Sequence, residues 1–404
     1  MSSGLRRFAC TVGIVLSCLC LGVGLLASAA AEGQSREPIK IGLLTPLKGA
    51  LAQNGTDVSE GVRLYFSEQK SELAGRKIDL IIEDTASDVN TGLTKARKLI
   101  ERDQVKVIIG PVHSGVAMAI RNLVDDRKIP LVITQATANA LTQEKASPYI
   151  FRPSFTSAQM HLPLGPYMVK KLGWKRVAVL ALDYVAGREQ ADGFIKSFKE
   201  AGGTVALELY PNLGATDMAP YLTRIRSEAE KLDAVVALLW SPTAIHFVKG
   251  YQDFGLKGKL PLFAHGATVD ESFFPSEGDA ALGILSHLFW SRVLDTPENK
   301  RVSKLIQQQY NRPMANNHDL GYTAAKVVGE AVKAVKGNVE DQAKFLQALR
   351  QVRFEAPRGP FRFDDKQNAV INVYIRRVEK VNGQLENVVI DTIPDVDQFW
   401  KPKM

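Results

Sequence analysis

Cysteine is scarce, with three residues in 404. Cys10, Cys18 and Cys20 all lie inside one N-terminal apolar stretch, and the mature chain is expected to keep none of them. That excludes disulfides, thiolate metal sites and a cysteine nucleophile. Histidine is also sparse, with six residues and no HxxxH pair, so a zinc helix motif is missing. No GxxxxGK[ST] loop occurs, and the only GxGxxA-like run, Gly22-Val23-Gly24, falls in the same N-terminal stretch. No metal site and no cofactor are therefore expected. A stripe of basic residues interleaved with aromatics is absent too, which argues against a nucleic-acid partner. The formal net charge of +8 is spread along the helices, as in Lys95-Ala96-Arg97-Lys98-Leu99-Ile100-Glu101-Arg102-Asp103. It describes a solvated surface with a basic bias and a modest attraction for anions.

One long hydrophobic run is present. Arg6-Arg7 precede an uncharged segment, Phe8 to Ala31, that ends Ala27-Ser28-Ala29-Ala30-Ala31. A basic start, a Leu/Val-rich middle and a small-residue end make residues 1–31 a secretory signal peptide, cut after Ala29 or Ala31. The run is long enough to span a bilayer uncleaved, but its crowded alanines favour cleavage. No comparable run recurs, so a soluble mature protein is expected. Cys18 sits in the middle of the run, which gives little support to lipid attachment.

The remainder alternates strands with helices. Ile39–Leu44 reads as a buried strand, followed by a helix near Val58–Gln69, a strand at Ile78–Glu83, an Asp-capped helix at Val89–Arg102 and a strand reaching Gly110. The plan repeats from Arg176 to Trp240: strand, loop, helix, Gly-Gly turn, strand, capped helix, strand. Such spacing means βαβ units on parallel sheets, in two similar α/β halves. A helix is also expected over Ala158–Leu172, between the halves. Helices near Pro297–Tyr310, Asp319–Lys336 and Glu340–Gln351 have no strand partners nearby and are expected to return over the first half. Pro357–Asp364 reads as a link, and Val370–Val378 and Val388–Asp391 as paired strands joining the second half. Three crossings then connect the halves, near Phe151–Phe155, Phe289–Arg292 and Phe361–Asp364.

The stretch Val107–Thr142 carries the clearest functional signal. Val107-Ile108-Ile109-Gly110-Pro111-Val112-His113-Ser114-Gly115 is a strand and a turn that opens a helix. Ile129-Pro130-Leu131-Val132-Ile133 and Thr134–Thr142 repeat the pattern, with a second helix expected to start there. Two adjacent parallel strands place both turns at one sheet edge, where open α/β sheets bind ligands. Ser114 and Thr137 would converge there with the free N–H groups of two helix starts, a spot that favours a carboxylate. Serine and threonine are also common as plain helix caps.

These segments resemble the periplasmic leucine/isoleucine/valine-type solute-binding proteins of ABC importers. The resemblance covers essentially the whole mature chain. It rests on Ile39–Leu47, Glu83-Asp84-Thr85 with Ser87-Asp88, Ile109-Gly110-Pro111 with Ser114-Gly115, Ala136-Thr137, and Asp183-Tyr184 with Gly187. It implies a type I periplasmic-binding-protein-like fold: two doubly wound parallel-sheet lobes joined by three crossover segments. Lobe 1 is expected over 38–153 plus 291–361, and lobe 2 over 154–290 plus 362–404. It implies that Ser114, Ala136 and Thr137 hold a ligand carboxylate and that Tyr184 closes over the ligand. Asn54 and His113 would line the side-chain pocket, His113 as a donor to a ring hydroxyl or carbonyl or as plain wall. Trp240 would be an aromatic wall or core packing. Amino-acid binders of this family carry an acid, for the ligand's ammonium, at the position aligned here with Gly266. An unpaired buried ammonium is costly. Unless Asp270 substitutes, the ligand is expected to have a carboxylate and no α-amino group, as in aromatic or short aliphatic acids.

The expected function is the periplasmic substrate-binding component of an ABC importer, monomeric, with an inner-membrane permease as partner. A true branched-chain amino-acid binder and a periplasmic sensory module are the alternatives. An enzyme is disfavoured, because a nucleophile elbow needs glycine two residues either side of Ser114, where Val112 and Val116 stand.

Overall fold

The computed structural model describes residues 37–402, so the leader expected at 1–31 lies outside the described residues. The first Val/Ile/Leu-rich segments form β1 (Ile39–Thr45), β2 (Glu72–Leu73), β3 (Arg76–Asp84), β4 (Val107–Ile109), β5 (Leu131–Val132) and β6 (Ile150–Phe151). They make one sheet in the order β2-β3-β1-β4-β5-β6, parallel except for the β2–β3 hairpin. Central strands of such a sheet are covered on both faces, which is why β4 and β1 from Ile41 onward are buried without alternation.

The second sheet starts with five parallel strands, β7 (Arg176–Ala181), β8 (Thr204–Leu209), β9 (Ala234–Leu238), β10 (Leu262–His265) and β11 (Leu285–Leu288). An antiparallel edge follows: β12 (Phe354–Ala356), β13 (Gly359–Phe363), β14 (Ala369–Val381) and β15 (Gln384–Val396). The stretch expected as a Gly/Pro link is thus part of a β-hairpin, with Phe354 stacked on Phe361 and Phe363 edge-on to Phe361. The helix expected over Ala158–Leu172 is broken into a 3-10 turn (Gln159–His161), a short α-turn (Leu164–Pro166) and a π-turn (Tyr167–Leu172). Pro163 lacks the N–H that a continuous helix needs at the break, whereas Pro166 falls in the first turn of Leu164–Leu172, where none is needed. No described helix is long and apolar enough to cross a membrane.

The late helices return to the first sheet as expected. Helix Asn316–Ala334 lies against helix Ala52–Glu68, with Tyr65 and Tyr322 edge to face at 5.5 Å. Buried Arg76 of β3 donates to the Gly337 carbonyl at 2.7 Å and to Glu340 at 2.8 Å. The chain passes between the sheets three times, and the passages run side by side. The Arg152 N–H donates to the Gln367 carbonyl at 2.8 Å. The Phe155 and Phe289 rings lie 5.1 Å apart. Arg358 sits 4.5 Å over the Phe289 ring and donates to the Pro153 carbonyl at 3.0 Å.

Two glycines let the long helices touch backbone to backbone. A Cβ on Gly61 would lie 2.2 Å from the His318 carbonyl oxygen, and one on Gly321 would lie 2.2 Å from that of Val58. Alanine raises helix propensity by about 1 kcal/mol at an ordinary site. Here the helices must separate, and overpacking costs about 1–3 kcal/mol. Gly61→Ala and Gly321→Ala are each expected to lower the urea midpoint. A raised midpoint would show that the helices yield freely.

Candidate functional site

β4 and β5 pair in parallel, Ile108 with Leu131 and Ile109 with Val132, so the turns after them leave the same sheet edge. Ser114 and Thr137 do meet. The Thr137 N–H donates to Ser114 Oγ at 3.0 Å, and both residues are buried. The details differ from the sequence reading. His113, not Ser114, caps helix Ser114–Asp126, its Nδ1 accepting from the Gly115 N–H at 2.9 Å. Ser114 is the first helical residue, and the hydrogen of its hydroxyl has no acceptor among the described residues. The second turn opens only a four-residue 3-10 turn, Asn139–Thr142, so one helix start serves the spot instead of two. Ala136 donates its N–H to the Pro111 carbonyl at 3.2 Å, which removes it as a backbone donor to a ligand.

Across from these turns stand those of the second sheet. Tyr184 opens helix Val185–Glu200, Trp240 opens helix Ser241–Asp253, and His265 ends β10. Four rings form a run from the first sheet to the second. His113 to Tyr184 is 5.8 Å, Tyr184 to Trp240 is 5.7 Å, and Trp240 to His265 is 5.9 Å. Between the two sets of turns lies a small cavity of about 30 Å³. Asn54, Ser114 and Thr137 line it from one side, and Tyr184 and Trp240 from the other. His113 and Gly266 sit beside it without lining it. The sequence reading missed Gln135, Gln190 and His265, which do line it. Each keeps a buried side-chain atom without a hydrogen-bond partner: Gln135 Oε1, Gln190 Oε1 and His265 Nε2. Native interiors rarely leave such atoms unpaired, and a polar guest in the cavity would satisfy them. His265 adjoins the aligned Gly266, and Gln190 lies six residues past Tyr184, so both were within reach of the motif argument.

The profile of the periplasmic binding protein family matches residues 38–384. The chain belongs to the periplasmic binding protein family. Leu/Ile/Val-binding protein homolog 6 of Brucella suis is 28% identical over 372 residues, spanning 90% of this chain and 94% of the relative. An ABC transporter substrate-binding protein from Sphaerobacter thermophilus superposes with a TM-score of 0.85 at 38% identity, over 89% of this chain and 99% of that one. A solute-binding protein of an ABC transporter from R. palustris, solved with benzoate, superposes with a TM-score of 0.84 at 30% identity, over 90% and 98% of the two chains. This periplasmic binding protein is thus a substrate-binding protein of the ABC-transporter type.

Among the described residues its cavity wall contains no carboxylate, lysine or arginine side chain. Asp270, the substitute considered for an ammonium partner, does not line the cavity. It accepts from the Ser272 N–H at 2.9 Å, from Ser272 Oγ at 2.6 Å and from Asn316 Nδ2. At Gly266 the buried charge has the opposite sign. Arg376 Nη2 donates to the Gly266 carbonyl at 3.2 Å, and a Cβ on Gly266 would lie 2.4 Å from that nitrogen. Burial depresses the His113 pKa, with Asp88 partly opposing, so His113 is a neutral cap at neutral pH.

The histidines, scattered in sequence, are not scattered in space. His161, His265 and His287 come together, with one ring nitrogen from each within 4.8 Å of the others.

Proposed function

We propose that this periplasmic binding protein captures a small carboxylic acid without an α-amino group, an aromatic acid by preference, and hands it to a membrane permease. The carrying observation is the cavity wall. Ser114 offers an unengaged hydroxyl hydrogen at a helix start, three aromatic side chains supply flat surface, and no carboxylate stands ready for an ammonium. The benzoate found in the R. palustris relative supports the same class. The work is capture and release rather than chemistry. The two lobes, one built on each sheet, would close on the ligand by bending at the side-by-side passages. The N–H of Asn139, donating to Glu189 Oε2 at 2.9 Å, would be one of the contacts holding the closed form.

The test is calorimetry with benzoate, hydroxybenzoates and leucine, after a thermal-shift screen. Aromatic acids are expected to bind, and leucine weakly or not at all. Sub-micromolar leucine binding would overturn the reading and restore branched-chain amino acids as the ligand.

A further inference from the structure

The three gathered histidines have a proton arrangement that their neighbours fix. His161 Nδ1 lies 2.8 Å from the Ser157 carbonyl and His287 Nδ1 lies 3.2 Å from the Ala264 carbonyl. A carbonyl only accepts, so both Nδ1 atoms carry the hydrogen and both Nε2 atoms present lone pairs. His265 is the reverse. Its Nδ1 accepts from the Ala267 N–H at 3.1 Å, so in the neutral ring the hydrogen is on Nε2. All three Nε2 atoms are buried and without a partner. Burial holds the three rings below the usual histidine range, His161 at about 4, so they are neutral at neutral pH.

With every Nδ1 engaged, the Nε2 atoms are the ones left to meet in the cluster, one donor and two acceptors. An atom centred among nitrogens no more than 4.8 Å apart is within about 2.8 Å of each, a hydrogen-bond distance. A carboxylate would face two lone pairs. A metal ion would need the lone pair that His265 does not present, beside the buried Arg376 cation, which already disfavours charge on His265 and His287. A hydroxyl both accepts and donates, and it matches. His265 is the member that lines the cavity, its ring 5.9 Å from that of Trp240. An aromatic ligand lying on Trp240 would bring its edge to His265, against whose ring those of His161 and His287 pack.

We infer that His161, His265 and His287 form a hydroxyl-recognition site at the second-lobe end of the cavity, and that the ligand is a hydroxylated aromatic acid. This rests on the aromatic-acid reading above. In calorimetry with the full mature chain, 3- or 4-hydroxybenzoate is expected to bind at least tenfold more tightly than benzoate. His265→Phe is expected to bring that ratio within about twofold. Equal affinities in the natural chain, or a preference that survives His265→Phe, would overturn the inference while leaving the aromatic-acid reading intact. If none of the three acids binds, the reading itself fails and the inference with it. Long-range ¹⁵N–¹H correlation spectra of the natural chain provide a check that no variant can spoil. The Nε2 signals of the cluster should show one protonated and two unprotonated nitrogens and should shift with a hydroxybenzoate but not with benzoate. Identical shifts with both, or stoichiometric zinc taking all three nitrogens, would overturn it.

Discussion

Ser114→Ala is expected to weaken the binding of any carboxylate ligand about tenfold to a hundredfold, the cost of removing one hydrogen bond to a charged group. Ser114 is the residue for which the effect should be largest. Its oxygen accepts from the Thr137 N–H, and that bond aims its own hydrogen away from the turn. It also stands at the start of a thirteen-residue helix, whose dipole adds to the pull on an anion. Thr137→Ala should cost less, about threefold to tenfold, because Thr137 does not stand at a helix start and lacks the dipole's pull. Ser157 Oγ donates toward both the Thr137 hydroxyl and its carbonyl oxygen at 2.9 Å, which leaves the Thr137 hydroxyl hydrogen free for a ligand. The Thr137 N–H, donated to Ser114, is kept by alanine. Calorimetry with benzoate separates the two variants. Unchanged affinity in Ser114→Ala would sink the anion-site assignment, and equal losses in both would show that the Thr137 hydroxyl touches the ligand.

Acid should unfold this chain early. His161 is fully buried, and its pKa is pushed down to about 4 by burial. An unfolded histidine titrates near 6.5, so between these two values the unfolded chain binds a proton that the folded chain refuses. Stability is then fully present above about pH 6.5 and is lost as the pH falls toward 4. At pH 5 the loss from His161 alone is on the order of 2 kcal/mol. His265 and His287 are depressed in the same direction and add to it. Urea midpoints at pH 7 and pH 5 measure the difference. His161→Phe should flatten the dependence, and an unchanged slope in that variant would assign the acid sensitivity elsewhere.

Much of the fold was legible because periodicity reports burial. The runs at Ile41–Leu44, Val107–Ile109 and Val177–Leu182 are uncharged and buried on both faces, as parallel strands require, and the cap at Asp88 accepts from Thr91 as its position suggested. Local stretches whose structure depends on distant partners were not legible. The Phe354–Phe363 hairpin is held by ring contacts between its strands, and the Ala158–Leu172 segment breaks at Pro163. At the site, the pairing of β4 with β5 made the meeting of Ser114 and Thr137 deducible. The role of His113 as a cap was not, because an imidazole acceptor is an unusual cap side chain. The three-histidine cluster draws one residue from a broken turn and one from each of two neighbouring strands, positions 161, 265 and 287. No linear spacing rule joins them.

The arginine under Gly266 has a consequence for how this chain could change its diet. Converting it to an amino-acid receptor takes more than supplying the missing acid, since a side chain at 266 runs into Arg376 before it reaches the cavity. An acid there would also pair with that guanidinium instead of with a ligand's ammonium. Removing the arginine first strands the Ser286 hydroxyl and the carbonyls of Gly266 and Trp290, to which it donates. Either single step is a loss, so descendants of this sequence would need both replacements together, which would make the proposed choice of amine-free acids hard to reverse.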